Sequence, residues 1–358
     1  MVRQKNVCVI GAGVAGLVTA KIFKARGHQV TIVERSGDLG GVWEPSRCYP
    51  ELQTQSPKDL YRYTDKPMPT SYPEWPKASE VHAYLTDYAR DHALVPTIRF
   101  NSTVIGMTRR QEKPGWTLEI EDRALQLSRE DFDFVAVCTG QFNEPRTIDV
   151  PGAAEFKAAG GTILHSSEHT DAAPLKGKRV VVLGGSKSAT DIAVNAVSAG
   201  AQQVTLVYLD PVWRIPYFIG GLLNFKRILY VRAQEEMYRS WDLGLASRLG
   251  HALAKPLVWA HWRSLECLLK LQFGLKSCDM VPEGPIEDSI NCAVPIATPG
   301  FYPMVADGRI KALRGTLQRY GVNSITTTDR CRHGDPCHRF QYRRAISAGT
   351  RTQKADRA

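Results

Sequence analysis

The chain has 358 residues, 43% hydrophobic and 23% charged, enough for two ordinary domains with a sizeable core. Its formal net charge of +10 is uneven: eight Arg or Lys against three Asp in residues 329–358 supply half of it, and no basic block interleaved with aromatics occurs elsewhere, so nucleic-acid binding is not expected. The eight cysteines include no C-x-x-C pair, which argues against a redox dithiol or zinc knuckle and fits a reducing, cytoplasmic setting; no signal peptide, membrane span or metal site is expected.

Residues 6–10, Asn-Val-Cys-Val-Ile, form a short apolar run of the kind that builds a buried parallel strand. Gly11-Ala12-Gly13-Val14-Ala15-Gly16 follows, then a stretch of helical periodicity, then Val30–Val33 and Glu34. Strand, glycine turn, helix, strand and acid in this order specify a dinucleotide site. Gly11 permits the tight turn, Gly13 admits a pyrophosphate to the backbone, and Gly16 lets the helix lie close to the strand. The helix N-terminus offers free N–H groups to the phosphates, and Glu34 suits the hydroxyls of a ribose. Arg35 comes next, then a second glycine turn, Gly40-Gly41-Val42-Trp43. Further on, residues 84–89 suggest an amphipathic helix and Ile98–Phe100 a strand. Phe134–Val137 is another buried strand, ending in Cys138-Thr139-Gly140.

At residues 34–43 the sequence resembles the flavin-containing monooxygenase family, flavoproteins with two dinucleotide-binding domains. The segment Tyr49–Lys58 carries the likeness on. It implies FAD at the first turn, with Gly11, Gly13, Ala15, Gly16, Glu34, Arg35, Gly41, Val42, Trp43, Thr139 and Gly140 as cofactor-binding residues. It also implies that Gln55 stands where many members carry a catalytic asparagine beside the flavin. The family's Phe-x-Gly-x-x-x-His motif is half matched: Gly161 and His165 fit, position 159 is Ala, Phe156 lies three residues earlier, and the last position is His169.

A third strand, Lys178–Leu183, runs into Gly184-Gly185-Ser186-Lys187-Ser188-Ala189 and a second helix and strand. Gly184 and Ala189 hold the first and third fingerprint positions, and Ser186 replaces the second glycine. The resemblance makes this the NADPH site. Recognition of a 2′-phosphate needs a fixed cation. Leu209-Asp210 stands where the family commonly has Arg, so Lys187 and Arg214 are the candidates.

The expected architecture is α/β with two Rossmann-like domains, the NADP domain inserted into the FAD domain. Residues 1–165 open the FAD domain and 166–299 form the NADP domain. A helical insert over about 217–275 caps the active site or faces a membrane surface. Residues 300–328 return to the FAD domain, and 329–358 form a disordered basic tail without an apolar strand. The implied activity is FAD-dependent oxygenation of a small organic substrate with NADPH and O2, as N-, S- or Baeyer–Villiger-type oxidation. The alternative is an impaired flavoprotein or NADPH oxidase.

Overall fold

The structure is a computed structural model that describes residues 3–231, 245–290, 294–322, 324–329, 339–341 and 345–349. It divides into two units, Met1–Pro145 and Arg146–Ala358. The division falls some twenty residues before the expected boundary at 165/166.

In the first unit, β1 (Asn6–Ile10), α1 (Val14–Ala25) and β2 (Gln29–Val33) form the expected βαβ motif. α2 (Ala78–Asp91) and the short β3 (Ile98–Arg99) follow. The strands β4 (Thr103–Arg109), β5 (Trp116–Glu121) and β6 (Leu127–Phe132) make an antiparallel meander, and β7 (Phe134–Val137) returns to the main sheet. That sheet is parallel in the order β3-β2-β1-β7. One face of β1 and α1 buries Val7, Val9, Leu17 and Ala20 against Val81, Tyr84, Leu85 and Tyr88 of α2. The other face buries Cys8 and Val33 against Leu118, Ile120 and Phe132 of the meander. Covering both faces is what lets β1 read as an unbroken apolar run. The sequence reading missed the meander, although Trp-Thr-Leu-Glu-Ile-Glu at 116–121 alternates with period two, the mark of a half-buried strand.

The second unit starts with α3 (Ala153–Ala158), β8 (Thr162–His165), β9 (Arg179–Leu183), α4 (Lys187–Ser198) and β10 (Gln203–Tyr208). Two short strands, β11 (Phe218–Ile219) and β12 (Leu223–Asn224), and α5 (Lys226–Leu229) lead towards the long helix α6 (Leu245–Gln272). Then come α7 (Ile286–Ile290), α8 (Phe301–Ala306), β13 (Ile310–Gly321), β14 (Ser324–Asp329), β15 (Arg339–Gln341) and β16 (Ala345–Gly349). The sheet order is β15-β14-β13-β10-β9-β16-β8.

Two expectations are corrected here. Residues 300–328 do not rejoin the first sheet: β13 pairs in parallel with β10, Val204 opposite Ile310 through Tyr208 opposite Arg314, and β14 folds back on β13. The apolar positions of β13, Ile310, Leu313 and Leu317, complete the second unit's own core, with Leu313 and Leu317 against Val207, Tyr320 and Ile325. Nor is the tail wholly without strand. Ala345–Gly349 inserts in parallel between β8 and β9, satisfying both edges with a run of mostly small residues. Cys292, Cys331, His333, Cys337 and His338 lie outside the described residues, as does 232–244 of the insert.

The half-matched motif has a packing explanation. A Cβ on Gly161 would sit 2.2 Å from the Phe156 ring, so the aromatic stacks on the glycine despite its shifted place in the sequence. His165 ends β8 with its Nδ1 2.8 Å from Ser167 Oγ, and His169 is buried with Nε2 3.3 Å from Asn195 Oδ1.

Candidate dinucleotide-binding sites

The first turn is built as its residues require. Gly11 has φ +103°, and a Cβ there would meet Cys138 O at 2.7 Å; on Gly16 a Cβ would stand 1.8 Å from Gly11 O. The absence of both side chains lets α1 start directly over the end of β1. Gly11 N–H donates to Val33 O at 2.8 Å. Glu34, 6% exposed, accepts from Ala12 N–H through Oε2 at 2.7 Å and from Ser36 N–H through Oε1 at 2.9 Å. The carboxylate is thus pinned beside the turn at the carboxyl end of β2, where an open α/β sheet binds its ligands.

A cavity of about 430 Å³ opens at this point. Gly11, Gly13, Ala15, Glu34, Arg35, Gly41, Val42, Thr139 and Gly140 all line it. Gly16 and Trp43 do not. Gly16 is spent on helix–strand packing, and Trp43 is buried, its Nε1–H donating to Tyr61 Oη at 2.7 Å; Tyr61 is the lining residue. Gln55 is exposed and also lies off the cavity lining. Sequence reasoning missed Arg47 and the segment 141–144. Arg47 donates to the carbonyls of Phe142 and Asn143 at 3.0 Å, and Arg35 bonds Glu144 and the Asn143 carbonyl, so two guanidinium groups hold this segment along the rim. A cavity of this size, with a helix N-terminus, an acid and two cations around it, fits the adenosine and pyrophosphate part of FAD.

The second turn repeats the first. Gly184 has φ +127° and its N–H donates to Val207 O at 2.8 Å, as Gly11 does to Val33 O. Thr190 N–H donates to Ser186 O at 3.2 Å, as Leu17 N–H does to Gly13 O at 3.0 Å. Ser186 is therefore the N-cap counterpart of Gly13, fully buried Ala189 that of Gly16, and half-buried Ser188 follows in the first turn of α4. The residue after Val207 is Tyr208, so a buried phenol stands where the first site has Glu34. Burial pushes that phenol up to about 12, and it stays neutral.

The two expected phosphate cations are not on offer to a ligand in this arrangement. The Lys187 ammonium is buried, bonds Asp191 on the next turn of α4 and lies 3.4 Å from Thr298 Oγ1. Thr298 donates in turn to Asp191 Oδ1 at 2.5 Å. Arg214, 2% exposed, donates to the Gly185 carbonyl and to Tyr302 Oη at 3.2 Å, with its guanidinium 5.5 Å from the centre of the Phe301 ring. Both cations are spent on bracing the turn. The sequence showed their nearness to the turn but not their burial.

Among known proteins, the profile described as flavin-binding monooxygenase-like matches residues 4–239. The chain belongs to this family. Dimethylaniline monooxygenase [N-oxide-forming] 4 of Rattus norvegicus is 36% identical over 231 residues, 61% of this chain and 40% of that protein. The 4-hydroxybenzoate brominase (decarboxylating) of Marinomonas mediterranea is 31% identical over 336 residues, 91% of this chain and 60% of that protein. The chain thus spans about 40% and 60% of the length of these two curated relatives. Of solved structures, the OTEMO complex with FAD and NADP superposes with TM-score 0.70 at 18% identity, covering 97% of this chain and 71% of that one. Cyclohexanone monooxygenase gives 0.70 at 15% identity, covering 99% and 74%. These likenesses establish the fold, two Rossmann-like α/β units. Among the described residues no helix is long and apolar enough to cross a membrane.

Proposed function

We propose that this family member binds FAD at the first turn and NADPH at the second, and oxygenates a small organic substrate with O2. The observation that carries the reading is the repeat itself: two glycine turns with the same hydrogen-bond register in one chain, an acid closing the first and a neutral phenol closing the second. An acid suits a free ribose diol; its absence suits a ribose bearing a phosphate. A bound flavin would accept hydride from the nicotinamide and activate oxygen. The chain's own part is to hold the adenosine half between Glu34 and the N-terminus of α1, and to close the rim with Arg35, Arg47 and segment 141–144. The named relatives oxidise or halogenate small molecules, which supports this substrate class without selecting N, S or carbon.

The test is direct. Flavin released from purified protein is identified by chromatography, and NADPH is then added with and without air. FAD as the released flavin, bleached by NADPH without air, is the expected result; FMN, or no flavin bound even when FAD is supplied, overturns it. A second reading, an NADPH oxidase that forms hydrogen peroxide without oxygenating, is favoured by the outer edge of β7. No described strand pairs with it, and it runs into the cavity-lining residues 138–140. Peroxide matching NADPH consumed, with every substrate tried, would select this second reading.

A further inference from the structure

The second turn lacks an obvious partner for the charge that separates NADPH from NADH. Lys187 and Arg214 are buried and engaged. A third cation occupies the right place but comes from a distant part of the chain. Arg314 on β13 stands opposite Tyr208 in the parallel register, so it neighbours the residue that corresponds to Glu34. Its guanidinium reaches over the carboxyl end of β10, donating to Leu209 O at 3.1 Å and to Asp210 Oδ1 at 2.6 Å. It also lies 2.7 Å from Glu283. Unlike the other two cations it is accessible: its side chain is 25% exposed, and its two acidic partners are 48% and 75% exposed.

We propose that Arg314 is the residue that selects a 2′-phosphorylated adenosine at the second turn, and that Asp210 and Glu283 occupy it in competition with that phosphate. The proposal rests on reading the second turn as a nicotinamide dinucleotide site. A guanidinium presents its donors as a fork that a phosphate accepts bidentately, and a phosphate at neutral pH carries more charge than either carboxylate. It therefore displaces exposed carboxylates from Arg314. A 2′-hydroxyl carries no charge with which to do so, and it finds Asp210 already turned to the arginine. The neutral Tyr208 phenol adds no repulsion. Discrimination comes from a cation on β13 that pairs across to the end of β10, and the two carboxylates set how large it is.

The experiment uses the full chain and two fragments that need no flavin, 2′,5′-ADP and 5′-AMP, with binding read by calorimetry. Wild type is expected to prefer 2′,5′-ADP. Arg314→Gln is expected to lower that preference about tenfold or more, the cost of one charged phosphate contact. Asp210→Asn frees Arg314 and removes a repelling charge, so it is expected to tighten 2′,5′-ADP binding. A wild type that prefers the phosphorylated fragment, with Arg314→Gln keeping the preference, overturns the role of Arg314 and leaves the NADPH site standing. A wild type without preference overturns both. If Arg314→Gln does not fold, weaker or unchanged 2′,5′-ADP binding by Asp210→Asn is enough to reject the proposal.

Discussion

Lys187 shows how burial changes what a residue is for. On the sequence it is a cation in a nucleotide turn; in the fold it is one half of a buried pair with Asp191, roofed by Thr298. Removing one partner of a buried pair leaves the other charge without compensation, at a cost of about 3–5 kcal/mol. Lys187→Ala is therefore expected to lose stability of that order in urea unfolding, while its preference between 2′,5′-ADP and 5′-AMP stays that of the wild type. His169 makes a pH-dependent contribution. Burial holds its pKa below the ordinary 6.5, while the hydrogen bond to Asn195 opposes this more weakly. The unfolded chain then binds the proton more readily, so stability is present above about pH 6.5 and is lost as pH falls below it. The slope from this one group is at most about 1.4 kcal/mol per pH unit. His169→Gln, which keeps a polar partner for Asn195, is expected to flatten this part of the stability–pH curve; an unchanged slope would clear His169 of the effect. Burial similarly pushes the Cys8 thiol up to about 12, so it serves as a small core side chain.

At the scale of elements, the strand–turn–helix unit works because the helix starts almost on top of the strand. Gly16→Ala would put a methyl 1.8 Å from Gly11 O, a backbone atom that can yield only by moving the turn. The expected result is a protein that unfolds at lower temperature and is purified without its flavin, whereas Ala15→Ser, at a lining position outside the packed helix–strand contact, retains it. The strand β7 makes a different point. Among the described residues it is the edge of a parallel sheet, its sequence Phe-Val-Ala-Val carries no charge, and Phe134 and Val137 are 49% and 62% exposed. The opposite edge, β3, is two residues long and ends in Arg99. Short and charged edges resist pairing with another chain; long apolar ones invite it. Val137→Lys is expected to reduce self-association in light scattering at high protein concentration, without loss of bound flavin. Equal scattering from both proteins would show that this edge does not drive association.

At the scale of the whole molecule, each unit has its own sheet and its own buried clusters. Val7, Leu17 and Tyr88 belong to the first, and Phe156, Val181 and Tyr320 to the second. The cavity beside the first turn is lined by residues between 10 and 144. A fragment of residues 1–145 is accordingly expected to fold and to take up FAD, giving a visible flavin band and a single cooperative melt. Failure of the isolated fragment to hold flavin would mean that the first unit needs the second for its site.

The local geometry of both glycine turns was legible in the sequence, because a glycine turn between a strand and a helix is a short-range device. Gly11, Gly13, Gly16, Glu34, Gly184 and Ala189 lie where their spacing requires. The partner of each strand was not legible, since pairing joins residues far apart in the chain and a strand such as Ile310–Gly321, apolar only at spaced positions, suits either sheet. The fold placed β13 beside β10, where its apolar positions complete the second core, and this brought Arg314 to the end of β10. Burial was the other decision left to tertiary structure. A lysine and an arginine beside a nucleotide turn look alike on the sequence whether they face solvent or not. Only the packing of Thr298, Phe301 and Tyr302 against the turn turned Lys187 and Arg214 inward.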